Sequence, residues 1–137
     1  MTTNEKILEL TNYLDNNSDS PELTKVLEHI ESEWEKIDDE KYSDGDASLL
    51  ASMMTDGYIS LKNFTKAYFW VDIYLQNVSF EGTIGFQRGR VDFEAGDYES
   101  ALLNFKKAFT ASKGREFEGE DPKYLDFYRN PEMYMKK

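Results

Sequence analysis

Between Arg88 and Phe109 the chain reads RGRVDFEAGDYESALLNFKKAF, and few arrangements other than two helices meeting at a tight turn accommodate that stretch. Gly96 suits the end of one helix, and Asp97 beside it offers a carboxylate to cap the next. Beyond the turn, Ala101, Leu102, Phe105, Ala108 and Phe109 recur at i, i+1, i+4, i+7 and i+8, the apolar stripe of one helix face. Small residues at Gly89, Ala101 and Ala108 allow the paired helices to approach closely, and aromatic side chains fill the remaining space.

The pattern Gly89, Phe93, Gly96-Asp97-Tyr98, Ala101, Phe105, Ala108 resembles the tetratricopeptide repeat (TPR), whose period is about 34 residues. One period upstream, Ala67 stands for Ala101, Val71 for Phe105, Leu75 for Phe109, Phe64 for Tyr98 and Gly57 for Val91. The earlier copy departs from the pattern at Thr55 (for Gly89), Lys62 (for the turn glycine) and Tyr74 (for Ala108). In the later copy, Gly85 and Arg88 stand where the family usually has large apolar residues. The resemblance implies an all-α fold, a short right-handed superhelical stack of antiparallel helix pairs. About six helices plus a short C-terminal capping helix would form a single domain over residues 1–137. Its parts would be a divergent helix pair at 1–37, a degenerate repeat at 47–78, a clear repeat at 82–112 and a capping helix at 121–130.

The outer segments are read from local chemistry. Thr2 and Glu5 form a capping box ahead of a helix over residues 2–14, with Ile7, Leu10 and Leu14 on its apolar stripe and Leu8 beside them. Ser20-Pro21 opens a second helix over 21–37, Ser20 as cap and Pro21 at the first helical position. Leu23, Val26, Leu27, Ile30, Trp34 and Ile37 fall on one face of it, and glutamates mostly occupy the others. Helices over 47–61, 63–77, 82–95 and 97–112 follow from the repeat, and Gly114 ends the last of them. Asp121-Pro122 starts the final helix, stopped at Pro131, where Tyr124, Leu125, Phe127 and Tyr128 either cap the last repeat or line a peptide site. Gly82, Gly85 and Gly89 at i, i+3, i+7 suit close helix packing, or a shallow notch for a ligand backbone.

Charge is distributed unevenly. Residues 1–57 hold 15 Asp/Glu against 4 Lys, whereas residues 58–137 hold 12 of each sign. Such a field repels nucleic acid and anionic membranes and steers a basic protein inward, or serves as a solubilising surface. With no cysteine, disulfides and thiolate metal sites are excluded. No stretch approaches the roughly 20 apolar residues that span a bilayer, and the first residues lack a basic-then-apolar leader, so a cytoplasmic location is expected.

No catalytic constellation is apparent, and neither a cofactor nor a metal site is expected. The single histidine, His29, lies among Glu22, Glu28 and Glu33 beside the apolar stripe, as a surface imidazole. In Asp38–Asp46, a calcium-loop alignment on Gly45 puts Tyr42 and Ala51 at ligand positions they cannot serve, so a solvated acidic linker is the expectation. TPR resemblance further implies a concave groove with Leu49, Ser52, Asp56 and Ile59 in the first copy and Thr83, Phe86, Arg90 and Phe93 in the second. With only Arg90 suitably charged, a clamp for a peptide carboxylate is disfavoured. Two functions remain open. One is an acidic immunity or antitoxin-type protein that neutralises a basic partner, such as a bacterial nuclease toxin, through Glu28, Glu31, Glu35, Asp38 and Asp39. The other is a general TPR adaptor or chaperone-like scaffold that holds a peptide in its groove, through Ser52, Asp56, Ile59, Phe86, Arg90 and Phe93. Weak self-association through an unsatisfied end of the stack is a further partner expectation.

Overall fold

The short turns that the sequence places between paired helices are present in the computed structural model, which describes residues 1–135. Seven α-helices and no strand occur among the described residues: α1 (Thr3–Asn17), α2 (Leu23–Glu35), α3 (Gly45–Ser60), α4 (Phe64–Leu75), α5 (Glu81–Ala95), α6 (Tyr98–Ser112) and α7 (Pro122–Arg129). The chain divides into two compact units, Met1–Asn77 and Val78–Lys137.

Helices α3 and α4 form one hairpin and α5 and α6 another, and their turns match atom for atom across 34 residues. At the second turn Gly96 is left-handed (φ 85°), its N–H donates to the Phe93 carbonyl at 3.1 Å, and that of Asp97 donates to the Asp92 carbonyl at 2.9 Å. At the first, Lys62 is left-handed (φ 59°), and the N–H groups of Lys62 and Asn63 donate to Ile59 and Tyr58, both at 2.9 Å. Both turns close the preceding helix by satisfying its last carbonyls. The caps correspond too: Asn63 Oδ1 accepts from Lys66 N–H and Asp97 Oδ1 from Ser100 N–H, each at 3.2 Å. Lys62 thus takes the role of the missing glycine, in a conformation that disfavours a Cβ.

In the first unit α1 begins with the expected capping box, Glu5 N–H on Thr2 Oγ1 at 3.0 Å and Thr2 N–H on Glu5 Oε1 at 2.8 Å. Those bonds hold the Glu5 carboxyl below its usual range. Ile7, Leu10 and Leu14 are buried, and α1 packs on both α2 and α3. Helix α2 starts later than its Ser-Pro opening suggests. Ser20 Oγ does accept the Glu22 N–H at 3.1 Å, but the Glu22 backbone (φ −107°, ψ 40°) leaves the helical region, so the helix runs from Leu23. The linker after α2 is also not a solvated loop. Asp39–Ser43 is a 3-10 helix in which Lys41 is buried, its ammonium donating to the carbonyls of Trp34 at 2.7 Å and Ile37 at 3.1 Å. It sits 4.9 Å from the Trp34 ring centre, so the carbonyl end of α2 and a π face hold a charge that water would otherwise solvate.

The second unit is an aromatic core. Helix α7 lays Tyr124 and Phe127 across α5 and α6, with Phe86–Tyr124 ring centres 5.7 Å apart, Phe93–Phe127 at 5.1 Å and Phe105–Phe127 at 6.1 Å. Tyr124 O–H donates to Glu94 at 2.8 Å and Lys123 pairs with the same carboxylate at 2.7 Å, fastening α7 to α5. Phe86 and Phe93, expected in an open groove, are therefore buried, because the chain's own C-terminal helix covers them. Asp92 is buried as well, accepting from Ser100 Oγ at 2.8 Å and Asn104 Nδ2 at 2.7 Å on α6.

Of the three glycines on α5, Gly85 and Gly89 face α6, so they permit helix packing and form no open notch. A Cβ on Gly85 would stand 2.6 Å from the Asn104 carbonyl oxygen and 2.9 Å from the Ala108 nitrogen, both backbone atoms that cannot rotate away. Gly85→Ala gains about 1 kcal/mol of helix propensity, yet we expect the forced separation to dominate, with a net loss of about 1–3 kcal/mol in urea unfolding. Gly45→Ala, with nothing within 4 Å of the new Cβ, provides the contrast and is expected to be neutral or stabilising. Equal effects at the two sites would contradict this packing.

Candidate functional site

The acidic residues assigned to partner binding divide once their contacts are known. Glu31, on α2, is a hub of the first unit. Its carboxylate accepts from Tyr58 O–H at 2.6 Å, Trp70 Nε1–H at 3.0 Å and Lys66 Nζ at 3.2 Å, so α3 and α4 are tied to α2 through one side chain. Asp38 is also engaged, accepting from Thr3 Oγ1 at 3.0 Å and Glu40 N–H at 3.1 Å. Neither is a free surface charge. Glu28, Glu35 and Asp39 are exposed and carry no ion pair among the described residues.

Beside Glu31 a cleft of about 450 Å³ runs between α2 and α4, lined by Glu31, Ser32, Trp34, Glu35, Thr65, Lys66, Phe69 and Trp70. Trp34, Trp70 and Phe69 of its lining belong to a ladder of rings that continues to Tyr42 outside the cleft. Tyr42 meets Trp34 at 5.9 Å, Trp34 meets Trp70 at 5.4 Å, and Trp70 meets Phe69 at 5.5 Å, in edge-on geometries that suit the ring quadrupoles. Both tryptophans are buried, but Phe69 is 47% exposed at the cleft mouth. The Trp34 indole N–H is buried with no hydrogen-bond partner among the described residues. Because Lys66 neutralises Glu31, Glu35 is the uncompensated charge of the cleft.

Within the first unit Ser52 and Ile59 are half-buried, and Asp56 is exposed at a separate cleft of about 290 Å³ lined by Leu14, Ser18, Leu23 and Met53. In the second unit Arg90 is half-buried, its guanidinium donating to Gln87 Oε1 at 3.2 Å. His29 is exposed with its ring 5.1 Å from that of Tyr13. The α2–α4 cleft itself was not anticipated. Its one sequence signal is Phe69, an aromatic on the polar side of a helix whose stripe is Ala67, Val71 and Leu75.

Among the described residues no group of three or more His, Asp or Glu side chains has metal-binding geometry, and no helix is long and apolar enough to cross a membrane. Exposed carboxylates, hydroxyls and an aromatic face in a cleft can bind a cation or a basic side chain.

Two stability effects follow. Glu31→Ala leaves Tyr58 and Trp70 without their acceptor and should destabilise the first unit by about 2–4 kcal/mol in urea. Glu31→Gln keeps an amide oxygen and should lose less. The Tyr58 and Tyr124 hydroxyls are held well above the ordinary tyrosine range, by burial first and then by Glu31 and Glu94 respectively. Unfolded tyrosine titrates near pH 10. The stability these hydroxyls contribute is therefore complete below about pH 10 and falls as pH rises beyond it, because the unfolded chain releases protons that the folded chain retains. Urea midpoints between pH 8 and 11 should fall less steeply for Tyr58→Phe with Tyr124→Phe than for the wild type. Parallel curves would contradict the assignment. No family model, curated protein or solved structure matches this chain.

Proposed function

We propose that this chain is a non-enzymatic, tetratricopeptide-like binding protein whose first unit captures a basic protein partner. Two hairpins with the same turn and cap hydrogen bonds 34 residues apart support the repeat assignment. The observation that carries the function is where the charge lies. Met1–Asn77 holds 16 Asp/Glu against 6 Lys, a difference of −10, whereas Val78–Lys137 holds 11 against 10 Lys/Arg, a difference of −1. Glu28, Glu35 and Asp39 are among the exposed carboxylates of that excess, and Glu35 lines the cleft with the aromatic mouth. Neutralisation of a basic toxin in the cytoplasm, as an immunity protein does for a nuclease, is the role that best uses a small acidic binder of this kind. The groove-binding adaptor is the weaker reading, since Phe86 and Phe93 are committed to the core of the second unit.

The test spares Glu31, whose loss would confuse folding with binding. With a basic protein captured from the native cell, Glu28→Lys, Glu35→Lys and Asp39→Lys together should slow association tenfold or more at low salt, on the order of magnitude expected for lost steering. The salt dependence of the rate should flatten. Unaltered rates with Phe86→Ala abolishing binding in a folded protein would instead support the groove.

A further inference from the structure

Resting on the reading above, we infer that the α2–α4 cleft seats an arginine side chain of the basic partner, the guanidinium stacked on Phe69 with its fork on the Glu35 carboxylate. Three features of the cleft point to that occupant. Phe69 presents an exposed ring at the end of a buried ladder, so its position is held by Trp70 behind it. Glu35 is exposed and unpaired, whereas the neighbouring Glu31 is already satisfied by Lys66, Tyr58 and Trp70. Ser32 and Thr65 add exposed hydroxyls, acceptors for the guanidinium N–H groups that the carboxylate does not reach. A planar, weakly hydrated guanidinium can stack on a ring and bond a carboxylate at once, which a compact ammonium does less well. The acidic cleft lined by Thr2, Thr3, Asn4, Glu40, Ser43 and Asp44 offers no ring, and its Asp44 carboxylate is occupied by Asn4 and the Asp46 amide.

The chain's two tryptophans, Trp34 and Trp70, both line this cleft, so intrinsic fluorescence reads its occupancy. The probes are capped peptides of six arginines and of six lysines, titrated at low salt. The arginine peptide should bind about threefold tighter or more. Phe69→Ala with Glu35→Gln should weaken its binding about tenfold. Asp15→Asn with Asp19→Asn removes one more charge from exposed positions elsewhere in the unit and should cost less than twofold. Phe69→Leu keeps the apolar volume and should erase the arginine preference, which separates loss of the π face from loss of fold. Equal weakening by the two double variants, with arginine and lysine peptides indistinguishable, would overturn the cleft assignment and leave the acidic-binder reading intact. Absence of binding by either peptide would overturn both.

Discussion

Two antiparallel helices joined by a short turn bury their common face only if their backbones come close, and that closeness is set by whatever side chains lie between them. In the second unit Gly85 lets α5 rest on the Asn104 and Ala108 backbone of α6, and Gly89 leaves the space that Phe105 fills. In the first, Ala67 and Ala51 are fully buried, and Gly57 makes room for Leu27 of α2. Once the pairs are closed, the rest of each unit follows. The large rings can reach the hairpin only from its open side, and α7 brings them there in the second unit. In the first unit, α1 and α2 cover the α3–α4 pair.

Closing the hairpins also decides what the charges do. A chain with 27 acidic residues suggests a uniformly negative surface, yet several of those carboxylates serve the fold. Glu31 gathers three donors, Asp92 holds α5 to α6 through Ser100 and Asn104, and Glu94 holds α7 through Tyr124. Partly buried carboxylates of this kind are costly unless their oxygens are satisfied, and here donors from neighbouring helices satisfy them. What remains for recognition is the smaller set left exposed, including Glu28, Glu35 and Asp39. Lys41 shows the same economy with opposite sign: it is buried on the carbonyls of Trp34 and Ile37 and against the Trp34 ring, so it offers no exposed cation at the surface.

Much of the fold was legible before any coordinates. Capping at Thr2, Asp97 and Asp121, and helix stops at Gly96 and Gly114, follow from side chains and turn residues acting on backbone within three residues. Even Lys62 could be assigned to a turn by its offset from Gly96. The candidate site was far less legible. Phe86 and Phe93 looked like groove residues because they sit on the first helix of a pair, and no local signal says that Phe127, more than thirty residues later, covers them. Glu31 looked like its neighbours Glu28 and Glu35 because an exposed and a bonded glutamate leave the same mark in a helical pattern.

The sequence by itself determined where the helices begin and end and that they fold back in pairs. Those properties come from capping groups, left-handed turn residues and apolar spacing, all acting over a few residues. Only the tertiary structure decided which polar groups stay free. Glu31 meets Tyr58, Lys66 and Trp70 at separations of 27, 35 and 39 residues, and no periodicity within one helix encodes a bond across that distance. The same contacts that consume Glu31 leave Glu35 and Phe69 facing water at one cleft, because a carboxylate already holding three donors has little left to offer a partner.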